Sequence, residues 1–361
     1  MNLIDRASAI AAINGLPDVI PNLGPVTVVT APVPVKSPTG ARRIAVGLNH
    51  EYSTMWPIDP LGRNILLQHP GGYYGMHYAD DGRLYAMLPA EINHASQPRW
   101  RRKSPDCFCY LYLNEIRQFN AGTLKSETLR KFGMPNINGM GESDLSEDDD
   151  HIVLCSGQNV FVYEFSTDRI VAEFTAELAF DSLYLLPNNR PLISYFGSLG
   201  IQVQDVDWTM RKVAGKNGHM DVASDSQGRP VMVWCNSGDD TGESRNAALA
   251  GCPNGIVKVD LTTGKQTCLL SLGWSIAAHI SLPDKAEFAL VSTYIEKDPS
   301  SPIPYANEIL RVPLDGSPVQ SLGKHGADSS TYQGKPRAAV SQDGTRFIYD
   351  SRGDVYLGSV A

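Results

Sequence analysis

A chain of 361 residues with 42% hydrophobic content and a mean hydropathy of −0.20 can bury a large core, which excludes a disordered polymer. Its 31 Lys and Arg against 39 Asp and Glu leave a formal charge of −8, so nucleic acid is not expected as a partner. The 32 Gly and 24 Pro favour short strands and many turns over long helices.

In chain order, residues 1–20 show no basic segment followed by a long apolar run, because Asp5 and Arg6 interrupt it. No window holds the ~18 apolar residues of a membrane span. The expectation is a cytoplasmic protein without a membrane partner, with 1–25 as an N-terminal arm and 26–361 as one domain. Segments 26–35 and 43–48 read as strands. Beyond them, apolar residues alternate at period two between polar turns at Asp59–Gly62, Ser104–Asp106, Ser146–Asp149, Pro187–Asn189, Ser224–Gly228, Leu282–Lys285 and Ser341–Gly344. The clearest unit runs from Lys335 to Leu357, three strands joined by the turns at Ser341–Gly344 and Ser351–Asp354.

These turns recur at steps of about 40–60 residues, the length of a four-stranded propeller blade. Segments 114–120, 159–165, 255–261 and 307–314 repeat a further alternating strand within the units. The pattern predicts an all-β protein: a seven-bladed β-propeller of four-stranded antiparallel blades, its ring closed by N-terminal strand addition. Asp80-Asp81-Gly82 falls inside the first blade; if it opened a blade of its own the count would be eight. Two sandwich domains are the alternative architecture. The two longest steps contain insertions, 236–254 and 296–307, in successive units, so both are expected to wall one mouth of the channel.

Six cysteines, at 107, 109, 155, 235, 252 and 268, lack metal-binding or redox spacing and read as buried thiols. The basic run Arg99–Lys103 and the acidic run Glu147–Asp150 read as solvated turns, and His69, His77, His151 and His325 as solvated residues beside turns.

Polar residues ahead of the turns converge on the channel in a propeller: His50, Glu51, His94, Glu142, Asp144, Asp181, His219, Asp221, His279 and Arg337. Such residues either tie neighbouring blades together by hydrogen bonds or form an axial site. As a site, His94, His219, His279 and Glu142 are the candidate ligands of a divalent metal, Mn, Ca or Zn. His219 and Asp221 project to one side of their strand. No GxSxG, P-loop, GxGxxG or HExxH motif occurs, so no nucleotide or organic cofactor is implied.

The turns Ser341–Gly344 and Ser104–Asp106, followed by strands such as Arg346–Ser351, resemble the WD40-like repeats of the TolB and oligogalacturonate-lyase propellers. The sequence lacks that family's His-Pro-x-Phe-Ser-Pro-Asp-Gly motif. The resemblance implies a metal-assisted lyase acting on small acidic, uronate-containing oligosaccharides by β-elimination. In that reading His219 or Tyr294 takes the C5 proton and Arg337 pairs with the carboxylate. Asp221 and the rings of Tyr73, Tyr74 and Tyr332 contact the sugar. The competing expectation is a non-catalytic binding or scaffold propeller for a protein or glycan ligand.

Overall fold

The computed structural model describes residues 27–28, 35–36, 40–50, 57–139, 145–205, 207–215, 218–235, 249, 251–274, 276–295, 304–330 and 334–360. Their strands form seven separate antiparallel sheets, the blades of a propeller. Blade 1 holds Asn64–Gln68, Tyr74–Tyr78 and Leu84–Met87; blade 2 holds Arg99–Trp100, Cys107–Tyr112, Glu115–Asn120 and Lys125–Lys131. Blade 3 holds His151–Ser156, Asn159–Glu164 and Arg169–Thr175; blade 4 holds Phe180–Leu185, Pro191–Tyr195, Ile201–Gln204 and Met210–Ala214. Blade 5 holds His219–Ser224, Pro230–Cys235, Ile256–Asp260 and Gln266–Leu270; blade 6 holds Ile276–Ser281, Phe288–Ile295, Glu308–Pro313 and Gln320–Lys324. Blade 7 combines Ala339–Val340, Arg346–Ser351 and Asp354–Ser359 with Arg42–Val46 from the other end of the chain.

Strand Arg42–Val46 thus closes the ring, as the sequence leads one to expect, while the described residues of segment 26–35 pair elsewhere. Thr27–Val28 pairs parallel with the outer strand of blade 5, and Val35–Lys36 pairs parallel with that of blade 6. Asp80–Gly82 lies within blade 1, so the count is seven. The expected arm 1–25 lies outside the described residues.

The core is distributed: seven hydrophobic clusters fill the seven interfaces between neighbouring blades. Ile44 and Ala45 of blade 7 pack on Ile58, Ile65 and Leu67 of blade 1, so the closing interface is as apolar as the rest.

The turns that end the innermost strands share one device. In blade 7 Ser341 Oγ accepts from Arg346 N at 3.0 Å, and Gly344 N donates back to Ser341 O at 2.9 Å. In blade 1 Asp59 plays the same part for Arg63 N at 2.7 Å, and in blade 5 Asp225 for Arg229 N at 3.0 Å. The fourth turn residue is left-handed at Gly62, Asp149, Asn189, Gly228, Lys285 and Gly344. Gly, Asn and Asp tolerate that backbone, so these turns stand out in the sequence. They define the lower face; the innermost strands begin at the upper face. Insertions 236–254 and 296–307 both leave the second strand of their blades at the upper face, in neighbouring blades, although 236–248, 250 and 296–303 lie outside the described residues. Among the described residues no helix is long and apolar enough to cross a membrane.

Candidate functional site at the upper mouth

The lower mouth is closed by charge. Arg102, in the turn of blade 2, donates from Nε and Nη2 to the two carboxylate oxygens of Asp284 in blade 6, each at 3.0 Å. Its Nη1 donates to Leu145 O at 3.0 Å and Ser146 O at 3.1 Å in blade 3. Blades 2 and 6 are not neighbours, so this side chain spans the channel. Beside it, Lys103 N donates to Asp149 Oδ2 at 2.7 Å and Arg101 Nη2 to Asp149 O at 3.3 Å. Arg101 and Arg102 of the basic run are therefore part-buried members of an internal plug rather than a solvated turn, and Arg99 is buried, while the Lys103 side chain stays exposed. Part of the acidic run supplies the plug's counter-charge, which is why Asp149 is buried too.

The upper mouth is asymmetric. In blades 5 and 6 the innermost strand is paired along its whole length and in blade 4 with one irregularity at Asp181, whereas in blades 2 and 7 only Arg99–Trp100 and Ala339–Val340 pair. Arg337, at φ 39, and Gln97, at φ 50, mark where those two chains leave the sheet. Residues from blades 5, 6 and 7 gather beside the start of the blade 7 inner strand.

His219, at the upper end of blade 5, donates from Nδ1 to Ala278 O at 2.8 Å, which leaves the lone pair on Nε2. Its ring stacks on His279 with centroids 4.2 Å apart, and His279 lies 5.2 Å from the ring of Tyr294. Lys335 Nζ sits 4.3 Å above the Tyr294 ring and donates to its hydroxyl at 3.3 Å. His279 and Tyr294 are fully buried, while His219, Lys335 and Arg337 keep part of their surface in solvent. Loss of hydration is the main reason both imidazoles stay neutral. It pulls His219 down to about 4 against the help of the Ala278 carbonyl. His279 falls well below its ordinary value, pushed further by the facing charges of His219, Arg337, Lys335 and His50.

A second network joins the ring ends next to this cluster. His50 N donates to Asp350 Oδ1 at 3.2 Å and His50 Nε2 to Arg337 O at 2.7 Å, with Nδ1 2.8 Å from Asp350 Oδ1. Arg337 Nη2 lies 3.5 Å from Asp350 Oδ2, so Asp350 offsets part of that guanidinium's charge.

Of the residues expected at a site, His219, His279, Tyr294 and Arg337 come together. Tyr294 is covered and acts by holding Lys335. Asp221 Oδ2 accepts from Leu282 N at 2.7 Å, tying blade 5 to blade 6. His94 stands exposed on the short 3-10 turn His94–Ser96 before blade 2. Tyr73 is exposed, but Tyr74 is buried among Trp100, Phe108 and Phe119 and offers no face to a sugar. Glu142 and Tyr332 lie outside the described residues. His77 and His325 are buried rather than solvated: His77 Nδ1 donates to Gly82 O and His325 Nε2 to Thr293 O, each at 2.8 Å. Lys335 and Asp350 are the residues sequence reasoning overlooks. Lys335 stands two positions before Arg337, and that spacing is the signal that would have found it.

Among the described residues no three His, Cys, Asp or Glu side chains are grouped to hold a metal. His219 and His279 meet face to face, which directs their in-plane lone pairs away from any ion between them, so this donor set does not fit a metal centre.

No family model matches the chain, and no curated protein matches it. Solved structures do. An oligogalacturonate lyase in complex with manganese aligns at TM-score 0.62 and 12% identity, over 92% of this chain and 96% of that one. An oligogalacturonate lyase from Vibrio parahaemolyticus aligns at TM-score 0.63 and 9% identity, over 89% and 93%. The Pan2 WD40 domain of Neurospora crassa aligns at TM-score 0.59 and 14% identity, over 91% and 98%. Identities this low speak for architecture alone. The chain has the seven-bladed β-propeller fold found in the oligogalacturonate lyases and in WD40 domains.

Proposed function

We propose that the upper mouth binds a small acidic oligosaccharide, with a uronate carboxylate received by Lys335 and Arg337. One observation carries this reading: two cations and the neutral ring of His219 border one mouth, backed by the buried, neutral His279, while the Arg102–Asp284 pair spans the opposite mouth. The neutral His219 ring adds a flat, weakly polar surface for the sugar, and buried Tyr294 and His279 fix Lys335 and His219 from behind. A carboxylate in such a partly desolvated site gains more from a cation than it does at an open surface.

Cleavage by β-elimination is the second reading, with the neutral imidazole of His219 as the base. There the base takes the C5 proton, the C4–C5 double bond forms, and the C4–O bond breaks with its electrons and a proton going to the leaving sugar. A base at about 4 is weak for that task, since general bases work best near the operating pH. Binding without turnover is thus the reading the site supports best. Calorimetry with uronate oligomers, followed by absorbance of an unsaturated product, tests both. Heat of binding with no product supports a binding module; product formation moves the assignment to a lyase; no heat overturns both.

A further inference from the structure

We infer a second ligand site on the lower face of blade 4, where Trp208 and Arg190 form a platform for a carboxylated sugar. Trp208 is 51% exposed, while Trp100 and Trp234 are fully buried. It sits at φ 70, a left-handed backbone that bulky side chains avoid. Strain of this kind persists only where the surroundings enforce it, and here they do. Trp208 N donates to Asp205 O at 3.0 Å, and Asp205 N to Thr209 O at 2.9 Å. Arg211 grips the Asp205 carboxylate at 2.8 and 3.1 Å. The indole is therefore held out into solvent on a rigid turn.

Arg190 comes from the turn that ends the innermost strand of the same blade, and its guanidinium carbon lies 5.0 Å from the Trp208 ring centroid. The acids on the Trp208 turn are engaged elsewhere: Asp205 by Arg211, and Asp207 by Thr209, whose N and Oγ1 donate to Oδ1 at 3.1 and 2.6 Å. Among the described residues no carboxylate pairs with Arg190. The guanidinium lies over the Trp208 ring, and the exposed remainder of the indole together with the free edge of the cation matches a pyranose that carries a carboxylate: the sugar's C–H groups pack on the uncovered indole surface and the carboxylate takes the guanidinium edge in a two-pronged contact. The site faces away from the upper mouth, with the Arg102–Asp284 plug between them, and does not rest on the function proposed there.

The test follows the indole N–H signals of the full chain by NMR, with Trp208 assigned from Trp208→Phe, during titration with a uronate trisaccharide. The Lys335→Gln variant serves as the host, so that the upper mouth competes less, and the Trp208 signal reports the lower site alone. The expected result is a saturable shift of the Trp208 signal, with affinity at least tenfold weaker in Arg190→Gln and for the methyl-esterified trisaccharide. An unmoved Trp208 signal overturns the site. Equal affinity for the neutral ester overturns the role of Arg190, and saturation by an acidic peptide but not by the sugar overturns the ligand class.

Discussion

Arg102 of blade 2 and Asp284 of blade 6 meet across the channel through a two-pronged contact in which both hydrogen bonds are 3.0 Å. The pair is part-buried, with side-chain exposures of 14% and 33%. Truncating Arg102 also strands the Leu145 and Ser146 carbonyls, so Arg102→Ala is expected to cost about 2–3 kcal/mol and Asp284→Ala about 1 kcal/mol less. Urea unfolding of both variants and the double variant checks this; a coupling energy of zero would show that the plug is ornamental.

The buried imidazoles give stability an acid limb. In the unfolded chain His219 and His279 take up protons near their ordinary 6.5, while in the fold His219 waits until about 4 and His279 stays neutral below its ordinary value. Between roughly pH 6.5 and 4 the unfolded state therefore binds more protons. Stability is full above that window and declines as pH falls through it. His219→Gln is expected to make the decline shallower by about 1 kcal/mol per pH unit. An unchanged slope would mean that His219 titrates normally in the fold.

Ring closure depends on Gly82. It lies at φ 71, and a Cβ there would overlap the carbonyl oxygen of Ile44 on the closing strand. Gly82→Ala is expected to destabilise the protein by about 2–4 kcal/mol, because backbone must move on both sides of the seam. Thermal unfolding reads the loss. Gly72→Ala, with nothing within 4 Å of the added Cβ, shares the positive φ and is the control. Equal losses in the two variants would leave backbone strain alone as the cause.

Cys252 and Cys268 form a disulfide across 16 positions, while the other four cysteines are buried thiols outside any disulfide. Burial raises the Cys155 thiol to about 12, which makes it a poor nucleophile. Thiol titration is expected to find no reactive group in the folded protein and four after unfolding without reductant. Replacing both Cys252 and Cys268 by Ser should cost about 2–4 kcal/mol. Six reactive thiols on unfolding would contradict the pairing.

Six of the lower turns are legible in the sequence because their left-handed fourth residue favours Gly, Asn or Asp, and the copy that uses Lys285 is accordingly among the faintest; the blade 2 turn shows instead through Ser104-Pro-Asp106. The closing strand is legible because Arg43 to Leu48 alternates. The plug is not: an Arg-rich run beside a turn looks the same whether it faces water or a carboxylate from a distant blade. Cys252 and Cys268 betray no pairing because their meeting depends on how blade 5 folds back on itself. The candidate site is half legible. His219, His279 and Arg337 all lie ahead of the lower turns of their blades, but Lys335 is assigned to the mouth by the shortened inner strand of blade 7, which the turn spacing does not encode, and Tyr74 is assigned to the core by its packing on blade 2.

Affinity of a uronate trisaccharide for the wild-type chain and for Lys335→Gln, measured by calorimetry at low and physiological salt, tests the upper-mouth site most directly. The site predicts binding that weakens with salt and a loss of about tenfold, or 1.4 kcal/mol, on removing the Lys335 charge. Equal affinity of the two proteins, or binding indifferent to salt, would contradict it.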